Sequence, residues 1–309
     1  MKHLKLFENF SDIDSICKKY GIGNYTVNSD GNVDIDGDIN LEGRGLTKLP
    51  IKFGKVRGFF NCDNNKLISL DGCPNSVGGD FLCRGNELTS LLGGPKEVGG
   101  YYNCVNNKLT SLEGCPNSLD AYFSCSHNQL TSLRGGPKEV SGSFTCNNNK
   151  LTSLVGCPSI LSGDFFCNEN QLKSLKGGPI EVGSYFDCSG NQLKSLEGSP
   201  NSVGYNFYCN KNQLISLEGS PIYVGGYFSC NSNQLMSLDG SPKEIGGDFS
   251  CINNPIEDIY DLFGSYKKYL NSLDYGYLRG TNIVKLRFKE ALEEIGKKVP
   301  YDIPGYKYI

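Results

Sequence analysis

The chain has 309 residues, of which 30 are basic and 33 acidic, for a formal net charge of −3. That near-balance lacks the basic footprint a nucleic-acid partner requires, and no stretch approaches the ~20 consecutive apolar residues of a membrane helix. Fourteen cysteines follow an amino terminus, Met-Lys-His-Leu-Lys-Leu-Phe-Glu-Asn-Phe, that has no uninterrupted apolar core of a secretion signal. The thiols are therefore expected in a reducing cytoplasm, of the producing or of an infected cell.

Residues 1–40 predict a small N-terminal cap, a helix followed by a hairpin. Ile13, Ile16, Cys17 and Tyr20 keep helical spacing behind Ser11, a suitable N-cap, and Gly21 and Gly23 end the run. Tyr25-Thr26-Val27 and Asn32-Val33-Asp34-Ile35 flank Asn28-Ser29-Asp30-Gly31, which reads as a hairpin turn. Leu41, Leu46 and Leu49 already keep the leucine phase of the later coils, as a degenerate first coil.

Over residues 41–254 about ten coils share a period of 21 residues with no insertion. Cysteine marks the beat at Cys62, Cys83, Cys104, Cys125, Cys146, Cys167, Cys188, Cys209, Cys230 and Cys251. Two positions before each stands an aromatic residue, from Phe60 and Phe81 through Tyr102 to Phe249. Three positions after each stands asparagine: Asn65, Asn86, Asn107, Asn128, Asn149, Asn170, Asn191, Asn212, Asn233 and Asn254. Leucines come next at two further positions, Leu67 to Leu235 and Leu70 to Leu238, with Ile256 and Ile259 closing the two series. Serine precedes the second leucine, and glycine and proline mark a corner, as at Gly72 and Pro74. The unit is F-x-C-x-x-N-x-L-x-S-L-x-G-x-P-x-x-V-G-x-x, and self-similarity of this length means stacked coils.

In F-x-C the ring and thiol point one way and the residue between them the other, which is strand geometry. A strand of three to five residues per coil stacks into a parallel sheet. The Gly-x-Pro corner ends it, because proline fixes its φ and lacks a donor. About ten residues remain for the return, too few for a crossover helix. An extended or polyproline-like convex side is the expectation.

The unit resembles the leucine-rich repeat, L-x-x-L-x-L-x-x-N-x-L, with Phe and Cys in two leucine positions and Asn where that family has it. The resemblance covers residues 41 to 259 and is nearest to the short, helix-free repeats of bacterial effector proteins. The repeat style and Lys-Leu-Phe-Glu-Asn-Phe also look similar to hypothetical proteins of tailed phages. The resemblance implies a repeat solenoid: a right-handed coil with a parallel concave β-sheet. Effector ligases with similar repeats append a catalytic domain with a nucleophilic cysteine. Here about 55 residues follow the array and none is cysteine, so no enzyme is expected.

The asparagine column reads as amides buried against turn backbone. The cysteine column reads as small buried hydrophobes. Coils about 4.8 Å apart come within disulfide reach, but side chains sharing one direction oppose the right-angled torsion a bridge requires. Metal sites favour C-x-x-C or Cys/His clusters, which the chain lacks. Cys73, Cys115 and Cys157 alternate at the corner with Gly94, Gly136 and Gly178, so any small residue serves there. His3 and His127 are isolated from any triad or metal motif. No catalytic residue, cofactor or metal is expected.

Residues 255–309 predict a helical C-terminal cap. Its apolar stripes run through Ile256, Ile259, Tyr260 and Phe263, through Tyr266, Tyr269, Leu270 and Leu273, and through Val284, Phe288, Ala291, Leu292 and Ile295. A small docking domain is the alternative.

Function is expected on the concave face, where residues vary from coil to coil above a uniform core. The candidate partner-binding residues are Asp80, Arg84, Tyr101, Tyr122, His127, Asp164, Phe166, Tyr185, Asp187, Tyr208, Tyr227 and Asp248. Tyrosine offers rigid contact area with a polar tip, which suits a protein partner. A glycan partner, on a structural or virion-associated surface component, is the alternative; nucleic acid and membrane are not expected as partners, and the oligomeric state is open.

Overall fold

The computed structural model describes residues 12–256. The predicted N-cap Ser11, His3 and the C-terminal stripes beyond Ile256 lie outside the described residues. These fall into two compact units. One runs to Leu151 and includes Val155–Pro158; the other comprises Thr152–Leu154 and the chain from Ser159 onward.

The first unit opens with helix α1, residues 12–20, whose Cys17 is fully buried. Strands β1 (Tyr25–Val27) and β2 (Val33–Ile35) form an antiparallel hairpin. Its turn is closed by the Gly31 N–H donating to the Asn28 carbonyl at 2.9 Å, with Gly31 in the left-handed region at φ 82°. The Tyr25 hydroxyl donates to Asp14 Oδ1 at 2.6 Å and ties the hairpin to α1. From β2 onward pairing becomes parallel: β2 pairs with β4 (Phe53–Val56), and β3 (Ile39–Asn40) pairs with β5 (Phe60–Asn61).

Each later coil contributes two short strands to two parallel ladders. The F-x-C ladder continues through Phe81–Leu82, Tyr102–Asn103, Phe123–Ser124 and Phe144–Thr145 in the first unit. In the second unit it runs from Phe165–Phe166 to Phe249–Ser250. Register is strict, ring opposite ring, because the repeat contains no insertion. The strands are two residues long, shorter than the spacing predicts. Hydrogen bonding nevertheless carries on past the thiol, since the Cys62 N–H donates to the Leu82 carbonyl and the Asn64 N–H to the Arg84 carbonyl, both at 2.8 Å.

The return side is extended, as its composition implies, and it pairs as well. Ser76–Val77 joins β4 and Glu97–Val98 in the first unit, and Ile160–Leu161 to Glu244–Ile245 form a five-stranded ladder in the second. The glycines after Val77, Val98, Val182, Val203 and Val224 permit a close approach there. A Cβ at Gly204 would collide with the Gly183 carbonyl oxygen of the preceding coil. In the first unit the outer ladder stops at Glu97–Val98 and resumes with Ser118–Leu119 and Glu139–Val140. At the gap Asp120 takes the column held by Gly78 and Gly99, though a side chain there does not by itself prevent pairing, since Ser118–Leu119 and Glu139–Val140 pair with Asp120 and Ser141 in that column.

Between the ladders lies a dry core of repeated layers. Ring, thiol and both leucines are almost completely buried in every coil from Phe60 to Leu238. In-register rings adjoin, tilted by 39° to 46° from Phe81 to Phe144 and nearly parallel farther along the chain. They stack with centroids 5.0 Å apart and planes 2° apart for Phe186 and Phe207, and at 5.2 Å and 4° for Phe207 and Phe228. Tyr102 replaces Phe in one layer, and its buried hydroxyl has no hydrogen-bond partner. The hydroxyl projects toward Gly94, the small corner residue of the preceding coil.

The asparagines fasten coil to coil. Asn86 donates from Nδ2 to the carbonyl of Cys83 at 3.2 Å and to that of Cys62, one coil back, at 3.0 Å. Its Oδ1 accepts the Leu67 N–H at 3.0 Å. Asn107, Asn128, Asn191, Asn212 and Asn233 repeat the arrangement. One amide thus satisfies three backbone groups that two-residue strands leave unpaired. The cysteines are free, and burial raises every thiol for which a shift is resolved, with Cys251 pushed up to about 12. Cys62 and Cys104 also point Sγ at the carbonyls of Leu82 and Ser124, at 3.3 and 3.2 Å.

Candidate interaction face

The F-x-C strands present four columns of side chains on their open face: the residue before the ring, the one between ring and thiol, and the two after the thiol. Each column has its own backbone duty.

In the first column, carboxylates or amides alternate with aromatics over much of the array. The N–H groups of Phe59, Tyr101, Tyr185 and Tyr227 donate to side-chain oxygens one coil back, on Asp38 (2.9 Å), Asp80 (2.8 Å), Asp164 (3.2 Å) and Asn206 (2.7 Å). Asp80 and Asp164 are therefore partly committed to backbone. In the third column, Arg84 N donates to Asp63 Oδ1 at 2.7 Å, and Asn231 and Ile252 N–H groups donate to Asn210 and Asn231 at 2.8 and 2.6 Å.

The second column is mostly small, and half of it is buried. Ser124 and Thr145, with Ser126 of the third column, form one hydroxyl cluster, with the Ser124–Thr145 oxygens 2.7 Å apart. Phe166, Asp187 and Tyr208 are the bulky and charged members, all half-buried. The Asp187 carboxyl is raised, chiefly by burial, against the lowering influence of its hydrogen bonds from Ser189.

The fourth column is left-handed throughout. His127, Glu169 and Lys211 have φ of 55°, 54° and 53°, Asn64, Asn106 and Asn148 the same conformation, and Gly85 and Gly190 φ of 63° and 66°. Asparagine and glycine suit this turn; the three long side chains are strained there.

Within the first unit the face gathers Asp80, Arg84, Tyr101, Tyr122 and His127. Tyr101 and Tyr122 meet edge to face at 5.7 Å, and the Tyr122 hydroxyl lies 3.0 Å from Thr145 Oγ1. Arg84 is engaged internally: its Nε lies 2.6 Å from Oδ2 of buried Asp63, and Nη2 lies 4.0 Å from Glu42 Oε1. Within the second unit the face gathers Asp164, Phe166, Tyr185, Asp187, Tyr208, Tyr227 and Asp248. Tyr208 and Tyr227 rings lie 5.9 Å apart, and Asn206 Nδ2 donates to the Tyr208 hydroxyl at 2.8 Å. Tyr205, absent from the sequence-based candidates, stacks on Tyr185 at 5.6 Å. Its signal was a tyrosine in a column that otherwise holds glycine, alanine or serine, such as Gly58, Ala121 and Ser184. Glu42, in the degenerate first coil, and Asp63 are further members absent from the sequence-based candidates.

Among the described residues, no group of three or more His, Cys, Asp or Glu could hold a metal ion, and no helix is long and apolar enough to cross a membrane.

Parallel strands recurring every 21 residues, leucine-lined layers and an asparagine ladder define a leucine-rich-repeat-type solenoid. No family model and no curated protein matches the sequence. Among solved structures the chain is similar to YopM from Yersinia enterocolitica WA-314, at 19% identity and a TM-score of 0.31, over 72% of this chain. It spans 61% of that protein's length, less than two thirds. It is also similar to a leucine-rich-repeat protein of Leptospira interrogans, at 14% identity and a TM-score of 0.28, over 85% of this chain and 95% of that one.

Proposed function

We propose that the chain is a non-enzymatic protein-binding scaffold and that the F-x-C face is its recognition surface. One observation carries this reading. Core columns and asparagine ladder are uniform from coil to coil, whereas the open columns vary and set tyrosine pairs beside polar groups. Uniform interior with variable exterior lets the face change without disturbing the coil. Tyr101 and Tyr185 stay exposed despite their size, and rigid aromatics with a polar tip are favoured contact residues. Asp80, Arg84, Tyr122, His127, Asp164, Phe166, Asp187, Tyr208, Tyr227 and Asp248 belong to the same proposed surface.

A photo-crosslinking residue at Tyr101 or Tyr227 should capture the partner in the native host, while the same residue at exposed Ile68 or Ile215 outside the face should not. Replacing Tyr101, Tyr122, Tyr185 and Tyr227 together by serine should abolish capture with the circular dichroism spectrum unchanged. Equal crosslinking from both sets of positions would overturn the assignment, and capture of glycan rather than protein would favour the surface-component reading.

A further inference from the structure

Asp187 carries a charge that the fold does not need. Its backbone duty is to accept the Ser189 N–H, at 2.8 Å. At equivalent positions Asn61 and Asn103 do the same for Asp63 and Val105, at 2.9 and 3.1 Å, with a neutral amide. Burying a carboxylate where an amide suffices costs stability, so the charge calls for another role.

Its surroundings specify one. In the ladder, Asp187 is in register with Phe166 on one side and Tyr208 on the other, each about 4.8 Å away along the stack. The Tyr208 hydroxyl is held by Asn206. Glu169 brings a second carboxylate: it bends over Gly190, where a Cβ would lie 2.6 Å from its Oε1. Asp187 and Glu169 thereby come near enough to repel one another. Neither forms an ion pair among the described residues. The second unit's face columns hold four carboxylates, Asp164, Glu169, Asp187 and Asp248, against one cation, Lys211.

The first unit shows what settles such a pair. Asp63 and Glu42 also crowd together, and there the chain inserts its own guanidinium, Arg84. An ammonium would supply charge alone. A guanidinium adds a planar fork for carboxylates and a flat face for aromatic rings.

We propose that Phe166, Asp187 and Tyr208, with Glu169, form a pocket for an arginine side chain of the protein partner. This rests on the scaffold reading above and gives it a chemistry: a partner segment that is cationic, docked through guanidinium between two rings and onto two carboxylates.

The test uses the full chain, isotope-labelled for amide NMR, and three Gly-Ser peptides carrying arginine, lysine or the neutral isostere citrulline. The arginine peptide should shift amides of the coils bearing Phe166, Asp187 and Tyr208; citrulline should not, and lysine should bind more weakly. Asp187→Asn should keep the fold, be at least as stable as the parent, and weaken the arginine peptide by about tenfold or more. Glu169→Gln should weaken it less. Equal binding of arginine and citrulline, shifts spread over other acidic coils, or unchanged affinity in Asp187→Asn would each overturn the pocket. If the peptides fail while crosslinks from Tyr101 and Tyr227 persist, the pocket falls and the scaffold reading stands.

Discussion

Lys211 sits at φ 53°, a conformation that costs an L-residue roughly 1–2 kcal/mol. Glycine at that site removes the strain but frees the unfolded chain, a loss of about 0.4–1 kcal/mol. Lys211→Gly should therefore stabilise by about 0.5 kcal/mol, seen as a higher urea midpoint with an unchanged slope. At Asp187 the sign runs through pH. Its carboxyl is raised above 3.8, first by burial, then countered by the Ser189 hydrogen bonds, with Glu169 pushing it up again. The native state holds this proton more tightly than the unfolded chain does. The destabilisation is thus complete above the raised native value, shrinks as pH falls through it, and is gone below 3.8. Asp187→Asn should raise the melting temperature at pH 7 and leave it unchanged near pH 3. A shift of equal size at both pH values would mean that charge is not the cause.

The asparagine turn is the element that turns a two-residue strand into a stable coil. Asn128 donates to the carbonyls of Cys104, Cys125 and Ser126 at 3.0 to 3.2 Å and accepts the Leu109 N–H at 2.9 Å. Asn128→Ala leaves these groups buried and unpaired, at a cost of about 2–4 kcal/mol. Because each coil touches only its neighbours, the damage should be local. Hydrogen exchange should speed up around Leu109 and Asn128, while Asn233 and its coil keep their protection. Uniform loss of protection along the chain would show that the coils unfold as one block. The outer ladder draws closest where glycine follows valine, as at Gly183 and Gly204, yet Ser118–Leu119 and Glu139–Val140 pair with Asp120 and Ser141 in that place.

For the whole molecule the thiols are the readout. The ladder cysteines lie at or near zero exposure, whereas Cys115 and Cys157 are half-buried. Burial raises the ladder thiols and those of Cys115 and Cys157 alike, away from the reactive thiolate, so exposure alone sets the order of reaction. In native buffer a water-soluble alkylating reagent should modify Cys115 and Cys157 first and leave the ladder untouched until denaturant is added. Mass spectrometry of timed samples would show the order. Early labelling of Cys104 or Cys188 in folded protein would contradict the dry core.

The periodic pattern alone fixed the coil, its strands, the buried columns and the extended return, because identical residues in identical phase leave one way of stacking. It also pointed to the open face, since alternation across a strand is local geometry. It did not reveal how that face is used. Asp80 and Asp164 look like free acids along the chain, yet they hold backbone of the next coil; Arg84 looks like a free cation, yet it closes on Asp63. The left-handed turn at His127, Glu169 and Lys211, the stacking of Tyr205 on Tyr185, and the isolation of Asp187 between two rings belong to the same class. All join residues from neighbouring coils or depend on backbone angles, and a side chain's hydrogen-bond partners exist only once the coils are stacked.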